Sequence, residues 1–115
     1  MREVPIKARA AVIVVVTLAA LAGCAALKAG RVFPSPDPAQ ITANVTDKAA
    51  LERMLGAPYQ VGLDSGDQTW RWFYAEHGSD GEVSKDLTVR FNANGTVKSY
   101  SFTSNFDEDM RRYRR

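Results

Sequence analysis

The sequence predicts an α+β fold: a helical layer, with one main helix and room for a turn before it, on a three-stranded antiparallel meander. A segment able to form a short C-terminal helix follows. Three observations predict it. Helical apolar spacing ends at Leu55-Gly56-Ala57-Pro58, strict two-residue alternation runs through Thr69 to Ala75 and Asp86 to Phe91, and Asn92-Ala93-Asn94-Gly95 links the second and third strands. At 115 residues there is room for one domain. The chain divides into a leader (1–23), a tether (24–40), the α+β domain (41–104) and a C-terminal amphipathic helix or tail (105–115).

The leader has the form of a signal peptide. Arg2, Lys7 and Arg9 make it positive, Ala10 to Leu21 is apolar except for Thr17, and the run ends in small residues. Leu21-Ala22-Gly23-Cys24 reads as a lipobox: a peptidase cutting before a cysteine needs small side chains such as Ala22 and Gly23, with Leu21 filling one apolar pocket. The competing reading is an uncleaved anchor, since apolar character persists to Leu27 and gives about 18 residues, the lower limit for spanning a bilayer.

The tetrad resembles that of bacterial lipoproteins. The resemblance implies a diacylglycerol on the Cys24 thiol and an acyl chain on its freed amine. At about 0.8 kcal/mol per buried methylene, such chains hold a protein on a membrane durably. Ala25 after the cysteine implies transport to the outer membrane, with the body on the periplasmic side.

Charge and composition then narrow the functions. The formal charge is +2, but three basic residues and Glu3 precede Cys24, leaving twelve Lys and Arg against twelve Asp and Glu. No basic field for nucleic acid remains. One cysteine allows no internal disulfide and one histidine no His-rich metal site, so neither metal nor cofactor is expected beyond the covalent lipid.

From Ala25 to Ala39, Gly30, Pro34, Pro36 and Pro38 interrupt any apolar period, which predicts an extended tether. Within it Val32-Phe33 is an apolar pair that could touch the domain, headgroups or a partner. The helical segment follows over Ile41 to Pro58. Thr46 or Asp47 can accept its first amides, Leu51, Met54 and Leu55 share one face, and Gly56 with Pro58 stops it. Lys48, Glu52 and Arg53 form the solvated face.

In the first strand, Trp70, Trp72 and Tyr74 share the core face and Arg71, Phe73 and Ala75 the other. The second alternates Leu87, Val89 and Phe91 against Thr88 and Arg90. Over Thr96 to Thr103 the inward face is undecided, because Val97 and the pair Tyr100/Phe102 have opposite parity. Glu76, His77, Asp80 and Glu82 between the first two strands fit no known ligand loop and read as a flexible, solvated connection. No serine or cysteine has a candidate base, so no catalytic residues are assigned.

The last eleven residues pair Asn105 with Glu108 in a capping-box pattern, align Phe106, Met110 and Tyr113, and set Asp107/Arg111 and Glu108/Arg112 at ion-pair spacing. Such a short helix must dock to persist. Docking of the stripe on the chain's own sheet is one reading; the other is that Arg111, Arg112, Arg114 and Arg115 meet anionic headgroups or an acidic partner surface.

Leu55-Gly56-Ala57-Pro58, Thr69-Trp70-Arg71-Trp72-Phe73-Tyr74 and Leu87-Thr88-Val89-Arg90-Phe91-Asn92-Ala93-Asn94-Gly95, following a lipobox, resemble the BamE (SmpA/OmlA) family of outer-membrane lipoproteins. The resemblance covers Cys24 and roughly Ile41 to Tyr100. It implies a helical layer on a three-stranded antiparallel sheet, no enzymatic activity, and an accessory role in outer-membrane β-barrel assembly or envelope integrity. The implied partners are barrel-assembly subunits and anionic phospholipid headgroups. The implied contact surface maps to Ala57, Tyr59, Arg71 and Phe73.

Departures are visible. Asn44-Val45-Thr46 replaces the family's Gly-Met-Thr, with Asn44 able to take positive φ. Only a single turn fits between Pro38 and Asn44, and Arg71 stands where an exposed aromatic is usual. The alternative function is a lipid-anchored protein of the same fold that binds or inhibits another periplasmic protein. A small envelope enzyme using Glu76, His77 or Asp80 is the third reading.

Overall fold

The computed structural model describes residues 26–113. In chain order these form β1 (Ala26–Gly30), a 3₁₀ turn (Pro38–Gln40), α1 (Lys48–Leu55), β2 (Gln60–Asp64), β3 (Asp67–Gly78), β4 (Gly81–Phe91), β5 (Val97–Ser104) and α2 (Asp107–Tyr113). The class is α+β, as the alternation and helical period predict. The sheet is larger than expected, with five antiparallel strands instead of three. Its hub is β3, which pairs with β4 along one edge and with both β2 and β1 along the other, while β5 extends the sheet from β4.

Of the two extra strands, β1 comes from a segment with no alternation and β2 from one in which only Val61 and Leu63 alternate over five residues. Residues 26–30, expected as tether, pair with β3 from Ala26↔Gly78 to Gly30↔Tyr74. Pairing with an existing strand edge needs backbone groups, not an apolar period, so β1 forms from a sequence that reads as loop. Downstream, Phe33 is 3% exposed and belongs to the core, whereas Val32 is exposed. Strand β2 follows α1 directly and turns into β3 through Ser65 (φ 52°) and Gly66 (φ 89°), the two positive-φ positions of a type I′ hairpin.

Within the helical segment the main helix spans the eight residues Lys48–Leu55, with its start at Asp47 and its stop at Gly56 as the sequence predicts. Residues 41–46 form the turn that precedes it, with Asn44 at φ 66° as its position requires. Asn44 N donates to Val97 O (2.7 Å) and Val97 N to Thr46 O (2.8 Å), so this turn is sewn to the start of β5 and cannot coil. Asp47 caps the helix, its Oδ1 accepting from Ala50 N at 2.9 Å, and Gly56 at φ 82° ends it.

Leu51 and Leu55 of α1 pack on the face of β3 and β4 that carries Trp70, Trp72, Tyr74, Leu87, Val89 and Phe91, all buried. Trp70 meets Trp72 and Phe91 edge to face, with centroids 5.9 and 5.2 Å apart. The parity conflict in β5 is resolved by a bulge. Val89 faces Tyr100 and Arg90 faces Ser99, but Phe91 faces Val97, so Lys98 is the extra residue. Val97 (0% exposed), Tyr100 and Phe102 therefore all turn toward the core.

The connection between β3 and β4 is shorter than expected. Both strands run on through Glu76 to Lys85 and join at Ser79-Asp80, with Tyr74 Oη donating to Glu76 Oε2 at 2.5 Å. Register puts His77 opposite Glu82 on one face and leaves Glu76 on the other.

Candidate functional site

The centre of the sheet's inner face is covered by α1. The sheet's outer face carries Arg71, Phe73, Asp86, Thr88, Arg90, Ser99 and Ser101, and among the described residues no helix covers these. The residues singled out by resemblance meet at one corner of this face, where β1 and β2 both approach β3.

The approach is built from three fixed points. Trp72 Nε1 donates to Gly56 O (3.0 Å), which holds the end of α1 against the inner face. Tyr59 N then donates to Arg71 O (2.8 Å), and Arg31 N donates to Phe73 O (2.8 Å), so adjacent outward carbonyls of β3 receive chains from two directions. Ala57 lies exposed on the loop between α1 and β2, and Arg31 reaches across to its carbonyl at 3.3 Å.

On this frame the Tyr59 and Phe73 rings lie 6.3 Å apart at 42°, with Tyr59 43% exposed and Phe73 half-buried. The Arg71 guanidinium stacks 4.5 Å from the Phe73 centroid. Its Nε and NH2 clasp Asp86 (3.0 and 2.7 Å), and its NH1 donates to Gln60 Oε1 at 2.9 Å. The bonded Asp86 carboxylate raises the Arg71 pKa above its ordinary value, against an opposing effect of burial. Arg71 is thus a clamp joining β2, β3 and β4, and it presents a flat charged edge, not a mobile cation.

A second cluster continues along the same face. Arg90 bonds Asp67 (2.8 Å) and Asp64 (3.2 Å), and Lys98 bonds Asp67 at 2.9 Å. Hydrogen bonds from Lys98 and Arg90 hold the Asp67 carboxyl below the usual range. The arrangement offers planar aromatic and guanidinium surfaces with satisfied charges, which suits binding.

Sequence reasoning missed Arg31, Gln60 and Asp86. Asp86 faces Phe73 and lies diagonally from Arg71, so its partnership becomes visible only once the register of β3 and β4 is known. Arg31 and Gln60 belong to the unforeseen strand approaches.

Other expected sites lie elsewhere. Leu21, Ala22, Gly23 and Cys24, with Arg114 and Arg115, are outside the described residues. Among the described residues, no helix is long and apolar enough to cross a membrane, and no cluster of three or more His, Cys, Asp or Glu side chains is gathered as for a metal.

The tail docks differently from expectation. Asn105 bonds the backbone of β4 (Ser84 N to Oδ1 2.7 Å, Nδ2 to Glu82 O 2.8 Å) instead of capping α2. Asp109, 4% exposed, turns inward, while Met110 of the predicted apolar stripe is exposed. Asp109 Oδ2 accepts from Ser35 Oγ (2.9 Å) and Ser104 Oγ (2.7 Å), and Lys85 Nζ donates to Ser35 Oγ at 3.1 Å. Burial pushes the Lys85 pKa down, and Asp109 partly offsets this. Arg112 reaches Pro36 O at 3.4 Å.

No protein-family model matches the chain, and no curated protein matches it.

Proposed function

We propose that this chain is a non-catalytic lipoprotein of BamE type, acylated at Cys24 and held on the periplasmic side of the outer membrane. There it acts as an accessory in β-barrel protein assembly or envelope integrity. The observation that carries this reading is Leu21-Ala22-Gly23-Cys24 standing just ahead of a strand that is part of the sheet. With β1 starting at Ala26, an anchor at Cys24 keeps the sheet close to the headgroups, not at the end of a long leash.

The surface offered to a partner is the Tyr59–Arg71–Phe73 corner with Ala57 beside it. Its aromatic and arginine content is the composition that protein interfaces favour. Anionic headgroups would be met by Arg31 and by the arginines of the tail.

Two measurements test the reading. The intact mass of the membrane form is expected to carry lipid at Cys24 and to lose it in Cys24→Ser. Detergent-solubilised wild type is expected to bring down barrel-assembly subunits, and Tyr59→Ala/Phe73→Ala to bring down at least about tenfold less, the effect of one or two interface anchors. Lipid present with no such subunits recovered would remove the assembly role.

A further inference from the structure

We propose that the free edge of β2 is a homodimer interface, at which two copies of the chain pair antiparallel about a twofold axis through Gly62. Among the described residues β2 is the outermost strand at its end of the sheet, and all five of its residues are exposed. Edge strands of monomers are normally blunted by a lysine, a proline or a bulge; Gln60-Val61-Gly62-Leu63-Asp64 contains none of these.

The hairpin defines what this edge presents. In a two-residue hairpin the closing pair, here Asp64 and Asp67, exchanges both backbone hydrogen bonds. The amides and carbonyls of Asp64, Gly62 and Gln60 therefore point into β3, and those of Val61 and Leu63 point outward. Register also places Val61 opposite Trp70 and Leu63 opposite Gln68, so both side chains lie on the inner face. There α1 does not cover them: Val61 is 60% and Leu63 78% exposed, beside an open groove of about 730 Å³ floored by Gln68 and Phe91.

The segment is complementary to itself when reversed. Centred on Gly62, Val61 faces Leu63 of the second copy and Leu63 faces its Val61, so the four outward backbone groups of each edge meet four of the other. The four apolar side chains form one strip on the inner face. On the outer face Gln60 meets Asp64. Gln60 Oε1 is held by Arg71, while its Nε2 donor has no partner among the described residues. The Asp64 carboxylate, with its side chain 62% exposed, is an acceptor beside it, with the Arg71 charge behind the donor. One axis thus satisfies backbone, apolar and polar groups together, the requirement of an isologous contact.

The test uses the full chain in detergent. Sedimentation is expected to show a concentration-dependent dimer for wild type. Leu63→Lys, at an exposed position, is expected to keep the far-UV spectrum and melting temperature and to raise the dimer dissociation constant at least about tenfold. Gly62→Cys, on the axis, is expected to form a disulfide-linked dimer under mild oxidation, whereas Ser79→Cys at the far turn forms no more than wild type. A wild type that stays monomeric to its solubility limit, a Leu63→Lys protein that dimerises as well as wild type, or crosslinking equal at positions 62 and 79 would each overturn the proposal.

Discussion

A Cβ at Gly30 would stand 2.1 Å from the Phe73 carbonyl oxygen and 2.8 Å from its ring, and the residue sits at φ +79°. Either condition alone disfavours a side chain; together they leave only glycine. Gly30→Ala is therefore expected to lower stability by at least about 2 kcal/mol, the left-handed backbone alone accounting for about 1–2. The expected result is an earlier urea midpoint, with near-wild-type behaviour overturning the assignment of β1 to the sheet. Asp109 is the other residue whose environment contradicts its type. Its carboxylate accepts from both Ser35 and Ser104, with Lys85 donating to Ser35 behind it, so Asp109→Ala leaves two half-buried hydroxyls without their acceptor and Lys85 without its nearby negative charge. Losing one such buried acceptor costs about 1–3 kcal/mol. The loss is expected to be local, with faster amide exchange in α2 than in β3.

Among the elements, legibility follows the kind of force that makes each one. Strands β3 and β4 bury one face against α1, so their alternating residues announce both existence and orientation. Helix α1 announces its core residues, its cap at Asp47 and its stop at Gly56, but not that the turn before it is stitched to β5 by the bonds of Asn44 and Thr46 to Val97. Strands β1 and β2 bury almost nothing themselves and exist because β3 has a free edge, a fact no local window contains. In β5 the bulge at Lys98 reverses parity after Val97, so periodic reasoning arrives at a contradiction there. Helix α2 shows the opposite failure. Its apolar stripe is real in spacing, yet the pocket it meets contains Lys85 and two serines, and a carboxylate fits that pocket better than Met110 does.

Across the whole molecule the two faces of the sheet have different chemistry, and acid separates them. The inner face is mainly apolar, with Lys85 its buried charge, held over the Phe33 and Phe106 rings. On the outer face Asp67 joins β3 to β4 and β5 through Arg90 and Lys98, beside the like charge of Asp64. Its folded pKa lies below 3.8, so its contribution is present above the unfolded value and is lost as pH falls through the folded one. Asp67→Asn is expected to flatten the fall of stability below pH 3.8 while leaving the tryptophan core intact by fluorescence. An unchanged acid limb would show that the cluster adds nothing to stability. The same outer face holds the Tyr59–Arg71–Phe73 corner, so the surface proposed for partner binding and this acid-sensitive lattice share one side of the sheet.

By itself the sequence determined the α+β class, the core residues of β3 and β4, and the cap and stop of α1. Each rests on a periodicity or a backbone preference carried by a few neighbouring residues. It also named Ala57, Tyr59, Arg71 and Phe73, through a resemblance, without saying how they meet. Only the tertiary structure decided that β1 and β2 share one edge of β3, that Asp86 and Gln60 clasp Arg71, and that Asp109 is buried. Those outcomes depend on register and on edges left open by other strands, quantities set between distant segments and absent from any one of them.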